Sequence, residues 1–169
     1  MERVFIQALS ALQAMHAHRI YHGDISPAKV LIDSHGNLKL TDIGLARAIS
    51  QVNLKIMTYA FQSFEKLSFD IDDWASDVYS LCATFYFVFS KRWPNVDEGY
   101  WPKKKFIRQR ADKNWYRELT RAECPSQKLR TAINHNLMAA EDNRQTAEQI
   151  LEMLIGGNIG QYQEALQQN

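Results

Sequence analysis

The sequence lacks the features that would place it in several large classes of protein. Only two cysteines occur, Cys82 and Cys124, and their separation matches no metal-binding spacing. We therefore expect free thiols in a reducing cytoplasm rather than a disulfide framework or a zinc site. No apolar run reaches the roughly 18–20 residues that cross a bilayer, and no signal peptide is evident at the N-terminus. The net charge of +1 gives no reason to expect binding to nucleic acid or to a membrane surface.

Glycine is scarce too, with seven residues, and the run from Gly156 to Gly160 is no phosphate-binding loop because no Gly-Lys-Ser follows it. What is present is typical of a globular domain: 46% hydrophobic and 23% charged residues. The length of 169 residues predicts one domain with a proper core. We assign that domain to residues 1–155 and a polar tail to residues 156–169.

Hydrophobic periodicity predicts a mainly helical chain. Apolar residues recur at helical spacing over residues 2–18. Residues 72–90 are apolar on nearly every side, which is typical of a helix at the centre of a protein. Three more helices are predicted over residues 114–123, 127–138 and 145–155, the last capped by Asn143 and ended by Gly156. Residues 45–72 and 91–105 are predicted to be loops, the first with short helical pieces.

A small β-hairpin interrupts the helices. The strand-like runs Val30–Ile32 and Leu38–Leu40 flank the turn-rich residues 33–37. A lone hairpin is not stable, so it must pack on the helices. It would bring Asp24 and Asp42, 18 positions apart, to one end. Paired carboxylates suggest a metal site, a general base or both, whereas the plainer interpretation is two turn-forming aspartates.

The motifs around these residues resemble the C-terminal lobe of protein kinases. "HGDISPAKV" resembles the catalytic-loop pattern H-R-D-x-x-x-x-N, and "DIG" resembles D-F-G. Glu65 stands at the place of the Glu in A-P-E, "SDVYSL" resembles the start of the central buried helix, and "EDNRQTAEQIL" resembles a segment near the end of the lobe. The resemblance implies a mainly α fold in which a small β-hairpin carries the catalytic and metal-binding loops.

The resemblance also implies chemical roles for individual residues. Asp24 would be the base that accepts the proton of the substrate hydroxyl, and Asp42 would bind the magnesium that bridges the ATP phosphates. Thr58 would lie near Asp24, help to seat the substrate and favour a Ser/Thr acceptor. Leu31 would contact the adenine ring.

Further residues are expected to support this site rather than to react. The resemblance implies a buried ion pair between Glu65 and Arg144, which would anchor the activation segment. It implies that Asp77 holds the backbone of the catalytic loop, and that His22 and Ile43 stack in the core beneath the site.

Three departures from the family pattern bear on the chemistry. Gly23 replaces the Arg that pairs with a phosphorylated activation loop, which removes the usual phosphate switch. Ser26 replaces a Lys that helps to neutralise the transferred phosphate. Lys29 stands at the place of the Asn that binds the second magnesium, and Lys has no lone pair for a metal. Its ammonium would instead pair with Asp24, Asp42 or phosphate, as a partial substitute for that ion.

No glycine-rich loop, strand lysine or partner-glutamate helix of the N-terminal lobe occurs in the sequence. ATP and magnesium are therefore expected to bind this lobe weakly or not at all. The chain would be a fragment, would receive the N-lobe from another polypeptide, or would work without catalysis. Three functions stay open: the lobe of a Ser/Thr kinase acting on proteins, a pseudokinase that binds a partner, and, ranked third, a phosphotransferase of the aminoglycoside-kinase type, which shares H-G-D.

Overall fold

The computed structural model describes residues 1–43, 59–94, 107 and 116–156. Its helices and strands, in chain order, are α1 (Glu2–Ala17), β1 (Val30–Ile32), β2 (Leu38–Leu40), α2 (Phe64–Phe69), α3 (Trp74–Ser90), α4 (Gln127–Met138) and α5 (Ala147–Ile155), with short 3₁₀ turns at Pro27–Lys29 and Glu141–Asn143. The predicted fold class, mainly helical with one small hairpin, is confirmed. Within the described ranges, no helix is long and apolar enough to span a membrane.

Helix α3 lies at the centre of the fold, as its apolar sequence predicts. Every residue from Ala75 to Tyr86 is buried, and α3 packs against α1 and α4. The rings of Phe5 in α1 and Phe85 in α3 meet edge to face, with centroids 4.7 Å apart. Cys82 is fully enclosed in this core, and burial raises the pKa of its thiol to about 12.

The hairpin packs on α1 through a side chain, as a two-stranded sheet requires. Val30 pairs with Leu40 and Ile32 with Leu38 in antiparallel register. Gln7 of α1 accepts a hydrogen bond from the backbone amide of Leu38 at 3.0 Å. This contact fixes the hairpin and, with it, the ends of the chain segments that hold Asp24 and Asp42.

Two predictions about helices are wrong. Residues 116–123 form an extended segment and a turn instead of a helix, because the Asn134 side chain accepts a hydrogen bond from the Leu119 amide at 3.0 Å and so takes the place of helical bonding. Helix α5 is capped by Thr146 rather than Asn143, since Thr146 and Gln149 form a reciprocal capping box. Asn143 lies in a 3₁₀ turn.

Several expectations fall outside the described residues. They are Thr58, most of the predicted loop over 91–105, and the tail after Gly156. Gly156 itself ends α5 in the left-handed conformation, as predicted, with φ of 69°.

Candidate active site

The turn at His22–Asp24 is held from within by one buried carboxylate. The backbone amides of His22 and Gly23 donate to the two oxygens of Asp77 at 2.8 and 2.9 Å. Nε2 of His16, at the end of α1, lies 3.0 Å from the same carboxylate. Asp77 therefore fixes the backbone that presents Asp24, because its position in α3 is itself enclosed by the core.

Asp24 is half-buried, and its surroundings act on its charge in opposite directions. Burial raises the pKa of the Asp24 carboxyl, and this effect outweighs the charges of Lys29, His22 and Lys66 and a hydrogen bond from Gln62. A carboxylate with a raised pKa is a stronger base than an exposed one. Lys29 and Lys66 thus both lie within electrostatic range of the Asp24 carboxyl.

Lys29 joins Asp24 electrostatically to Asp42. Its ammonium forms an ion pair with Asp42 Oδ2, and the two side chains are 23% and 45% exposed. The hairpin supports this pairing, because the amide of Thr41 donates to the carbonyl of Lys29 at 3.0 Å. Asp42 has a φ of 61°, a left-handed conformation that Asp tolerates better than most residues. Lys29 thus pairs directly with Asp42 and acts on Asp24 through space.

Outside the His22–Asp24 turn itself, Glu65 and Arg144 form a bidentate ion pair. Arg144 Nη1 pairs with Glu65 Oε1, and Nη2 donates to Oε2 at 3.2 Å. The side chains are only 5% and 4% exposed. Burial alone would raise the pKa of Glu65, but the hydrogen bonds and charge of Arg144 outweigh it and lower the pKa below the ordinary 4.5. The pair fastens α2 to the segment before α5.

A family model for the protein kinase domain matches residues 1–154. The chain belongs to the protein kinase family. A rhodopsin kinase of Rattus norvegicus is 32% identical over 108 residues, which are 62% of this chain and 19% of that protein. A sperm motility kinase of Mus musculus is 32% identical over 97 residues, 55% of this chain and 20% of that protein.

A serine/threonine-protein kinase of Saccharomyces cerevisiae is 38% identical over 71 residues, 41% of this kinase chain and 15% of the yeast protein. The chain thus spans a fifth or less of the length of these three relatives.

Kinases of this family use ATP with magnesium, and the donor groups of this chain fit one such ion. A carboxylate combined with substrate phosphates is a usual magnesium site, and Asp42 would supply the carboxylate through Oδ1, the oxygen not paired with Lys29. The ammonium at position 29 cannot bind a second ion. In the part of the chain that the structure describes, no three His, Cys, Asp or Glu residues form a metal-binding cluster.

The other predicted site residues of the kinase chain fall in different environments. Leu31 is exposed on β1, open to a ligand, and His22 is buried. Ser26 is buried, and its hydroxyl has no hydrogen-bond partner among the described residues. The prediction that Ile43 stacks in the core is wrong: it is 44% exposed, and it directly follows the left-handed residue Asp42.

Four residues near the site were missed by the sequence analysis: His16, Gln62, Lys66 and Asp72. His16 contacts Asp77, and the other three approach the His22–Asp24 turn from other parts of the chain, so no local spacing indicates these contacts. The glycine at position 23 was the feature of the sequence that could have indicated these contacts. A glycine in place of a long side chain indicates that something else occupies the space beside it.

Proposed function

We propose that this chain is the catalytic and substrate-binding lobe of a protein kinase that transfers the γ-phosphate of ATP to a Ser/Thr hydroxyl of a protein. The rest of the nucleotide site would come from a longer form of the chain or from a second polypeptide. The observation that carries the proposal is the placement of Lys29, paired with Asp42 and within electrostatic range of Asp24. This arrangement supports a site in which Asp24 would act as base, Asp42 would bind magnesium and Lys29 would supply a cation.

Each residue then has one role in the transfer. Asp24 accepts the proton of the attacking hydroxyl, and its raised pKa favours that step. Asp42 binds one magnesium, which neutralises charge on the ATP phosphates. Lys29 stabilises the negative charge that develops on the transferred phosphoryl group, in place of a second ion.

The remaining candidate residues position the two substrates. Leu31 would contact the adenine ring from its exposed place on β1. Thr58 would help to seat the acceptor hydroxyl near Asp24, whereas Ser26, in place of a Lys, would leave the transferred phosphate less neutralised. The Ser/Thr preference is supported by the kind of kinase to which the chain is similar, and a protein acceptor by the family.

A second candidate is a pseudokinase that binds a partner and transfers nothing. The same ion pair favours it, because the Lys29 ammonium already neutralises the carboxylate that magnesium would need. A small-molecule phosphotransferase is the weakest candidate, since the Glu65–Arg144 pair and the match to the protein kinase model favour a protein kinase.

The decisive experiment measures phosphate transfer by the chain after it is joined to its natural N-terminal lobe, which is the smaller of the two lobes. Four forms are compared: the parent, Asp24→Asn, Lys29→Met and Lys29→Asn. Lys39→Met is the control, because Lys39 is an exposed hairpin lysine whose contact with Asp33 is long, at 3.9 Å. An active kinase requires an active parent, nearly inactive Asp24→Asn and Lys29→Met forms, and a Lys29→Asn form whose rate depends more steeply on magnesium. An inactive parent that gains activity as Lys29→Asn identifies a pseudokinase.

The 169-residue chain alone should bind magnesium–ATP only at about millimolar concentration or more weakly. Asp42 and Leu31 supply one side of the nucleotide site. Titration calorimetry that gives a micromolar dissociation constant would contradict this expectation and the two-lobe proposal together.

A further inference from the structure

A second carboxylate lies against the turn that presents Asp24. Asp72, in the connection between α2 and α3, pairs with the ammonium of Lys66 at 2.6 Å. The side chains of Lys66 and Asp72 are only 8% and 13% exposed. Lys66 also pairs with Asp70 at 3.0 Å, but Asp70 is largely exposed. The inner pair, Lys66–Asp72, is thus the one shielded from solvent.

The Asp72 carboxylate occupies the space where a side chain at position 23 would lie. A Cβ atom on Gly23 would be 2.5 Å from Asp72 Oδ1, and the φ of Gly23 is 75°. Both observations require glycine. The backbone of Gly23 therefore lies between two carboxylates, with Asp77 bonded to its amide and Asp72 packed against its Cα.

Three anionic side chains surround this turn, and Lys66 offsets their repulsion from one side. They are Asp24, Asp72 and Asp77. Lys66 contacts Asp72 directly and acts on Asp24 through space. If this ammonium were removed, the shielded Asp72 carboxylate would lose the cation that compensates its charge. It would then move away from the turn or repel Asp24.

We propose that Lys66 and Asp72 are positioning residues that clamp the Gly23–Asp24 backbone, in addition to Asp77. Their importance for phosphate transfer rests on the proposed role of Asp24 as the base. The clamp is complete without any added phosphate, because both of its charges belong to the folded chain.

The alternative is that the pair only closes the short connection between α2 and α3. A purely structural pair, once broken, would lower the stability of the whole fold, or would loosen its own connection and leave residues 22–24 unaffected. A clamp, once broken, would loosen residues 22–24 while α4 and α5 keep their protection, because local opening is separate from global unfolding.

Amide hydrogen exchange on the 169-residue chain separates these cases without any need for catalysis. In Lys66→Met, exchange at residues 22–24 should rise about tenfold or more, and exchange in α4 and α5 should stay within about twofold of the parent. Lys66→Arg should restore slow exchange, since it keeps the charge. Lys39→Met is the matched control and should change neither region. Unchanged exchange at residues 22–24, or an equal rise throughout the chain, would overturn the proposal.

A double variant sharpens the result. Lys66→Met/Asp72→Asn removes the uncompensated charge, so thermal stability should recover while fast exchange at residues 22–24 persists. A return to slow exchange in the double variant would show a structural pair and overturn the clamp.

In the chain joined to its smaller lobe, Lys66→Met should lower kcat about tenfold or more with little change in the KM for ATP, which is the pattern of a displaced catalytic group. Lys66→Arg should restore kcat. Loosened residues 22–24 in an inactive parent would support the clamp and reject the proposed kinase activity. An active parent whose kcat is unaffected by Lys66→Met would reject the role of the clamp in catalysis.

Discussion

The Glu65–Arg144 and Lys29–Asp42 ion pairs have the same chemistry in opposite surroundings. The first is bidentate and almost wholly buried. Ser76 also donates to Glu65 at 3.3 Å, and Arg144 donates to the carbonyl of Ala75 at 3.2 Å. The second is a single contact between partly exposed side chains.

This difference separates an architectural ion pair from one that is available for chemistry. The buried pair is surrounded by further hydrogen bonds and cannot exchange partners without unfolding its neighbourhood. The exposed pair contributes little to stability, so Lys29 is free to bind a phosphate instead and Asp42 is free to bind a metal. Breaking each pair should therefore affect different measurements.

The largest effect on stability is expected when the buried pair is broken. Glu65→Ala leaves the Arg144 guanidinium buried without its partner, which costs about 3–5 kcal/mol. The melting temperature should fall by roughly 10 °C. Glu152→Ala is the control, because Glu152 is an exposed helical residue whose replacement should change stability by no more than about 0.5 kcal/mol. Equal melting temperatures for both variants would show that the buried pair is not an anchor.

The next effect concerns the turn between the carboxylates. Gly23→Ala should cost about 1–3 kcal/mol, because alanine disfavours positive φ and its Cβ would collide with Asp72. Adding Asp72→Ala should remove the collision but not the cost of the conformation. Denaturant unfolding of the single and double variants measures both parts. If Gly23→Ala and Asp72→Ala are strictly additive, the close contact contributes nothing.

A smaller effect on stability is expected at the exposed pair. Lys29→Met should change the free energy of unfolding by less than about 1 kcal/mol, although phosphate transfer by the completed kinase should be nearly lost. The test compares, for the same variant, the change in the free energy of unfolding with the change in the rate of phosphate transfer. A loss of stability as large as that of Glu65→Ala would show that both pairs are architectural.

The smallest effect is a gain in stability at Asp24. Burial makes the pKa of Asp24 higher in the folded than in the unfolded chain, so its ionised form costs stability at neutral pH. Below the ordinary pKa of 3.8 the carboxyl is protonated in both states and the cost is absent. Asp24→Asn should therefore raise the melting temperature at about pH 7 and not at about pH 3. A stabilisation that is equal at both values would point to a cause other than charge.

Local signals predicted the secondary structure well where tertiary contacts agree with them. The hairpin strands and α4 have the predicted bounds, because turn residues, caps and hydrophobic periodicity all act over a few positions. The helix predicted over 114–123 failed for the opposite reason. Asn134 lies 15 positions from Leu119, and its side chain bonds to that backbone from a neighbouring helix.

In the candidate site, too, some residues were indicated by local sequence patterns and others were not. The motifs indicated Asp24, Asp42 and Lys29, and the cap at Thr146 was readable from its partner three residues later, Gln149. The Lys66–Asp72 clamp was not readable, because it depends on where the α2–α3 connection meets the turn at Gly23. Only the geometry of the folded chain brings these residues together.

The burial of Cys82 makes the labelling rate of its thiol a measure of how often the region around α3 opens. A thiolate is the form that attacks alkylating reagents, and a thiol with a pKa of about 12 at the centre of α3 is almost never in that form. Its labelling in the folded protein must wait for the helix to open. Cys124 is also buried but lies outside α3, just before α4. The ratio of the two labelling rates under native conditions therefore reports whether the two regions open together or one before the other.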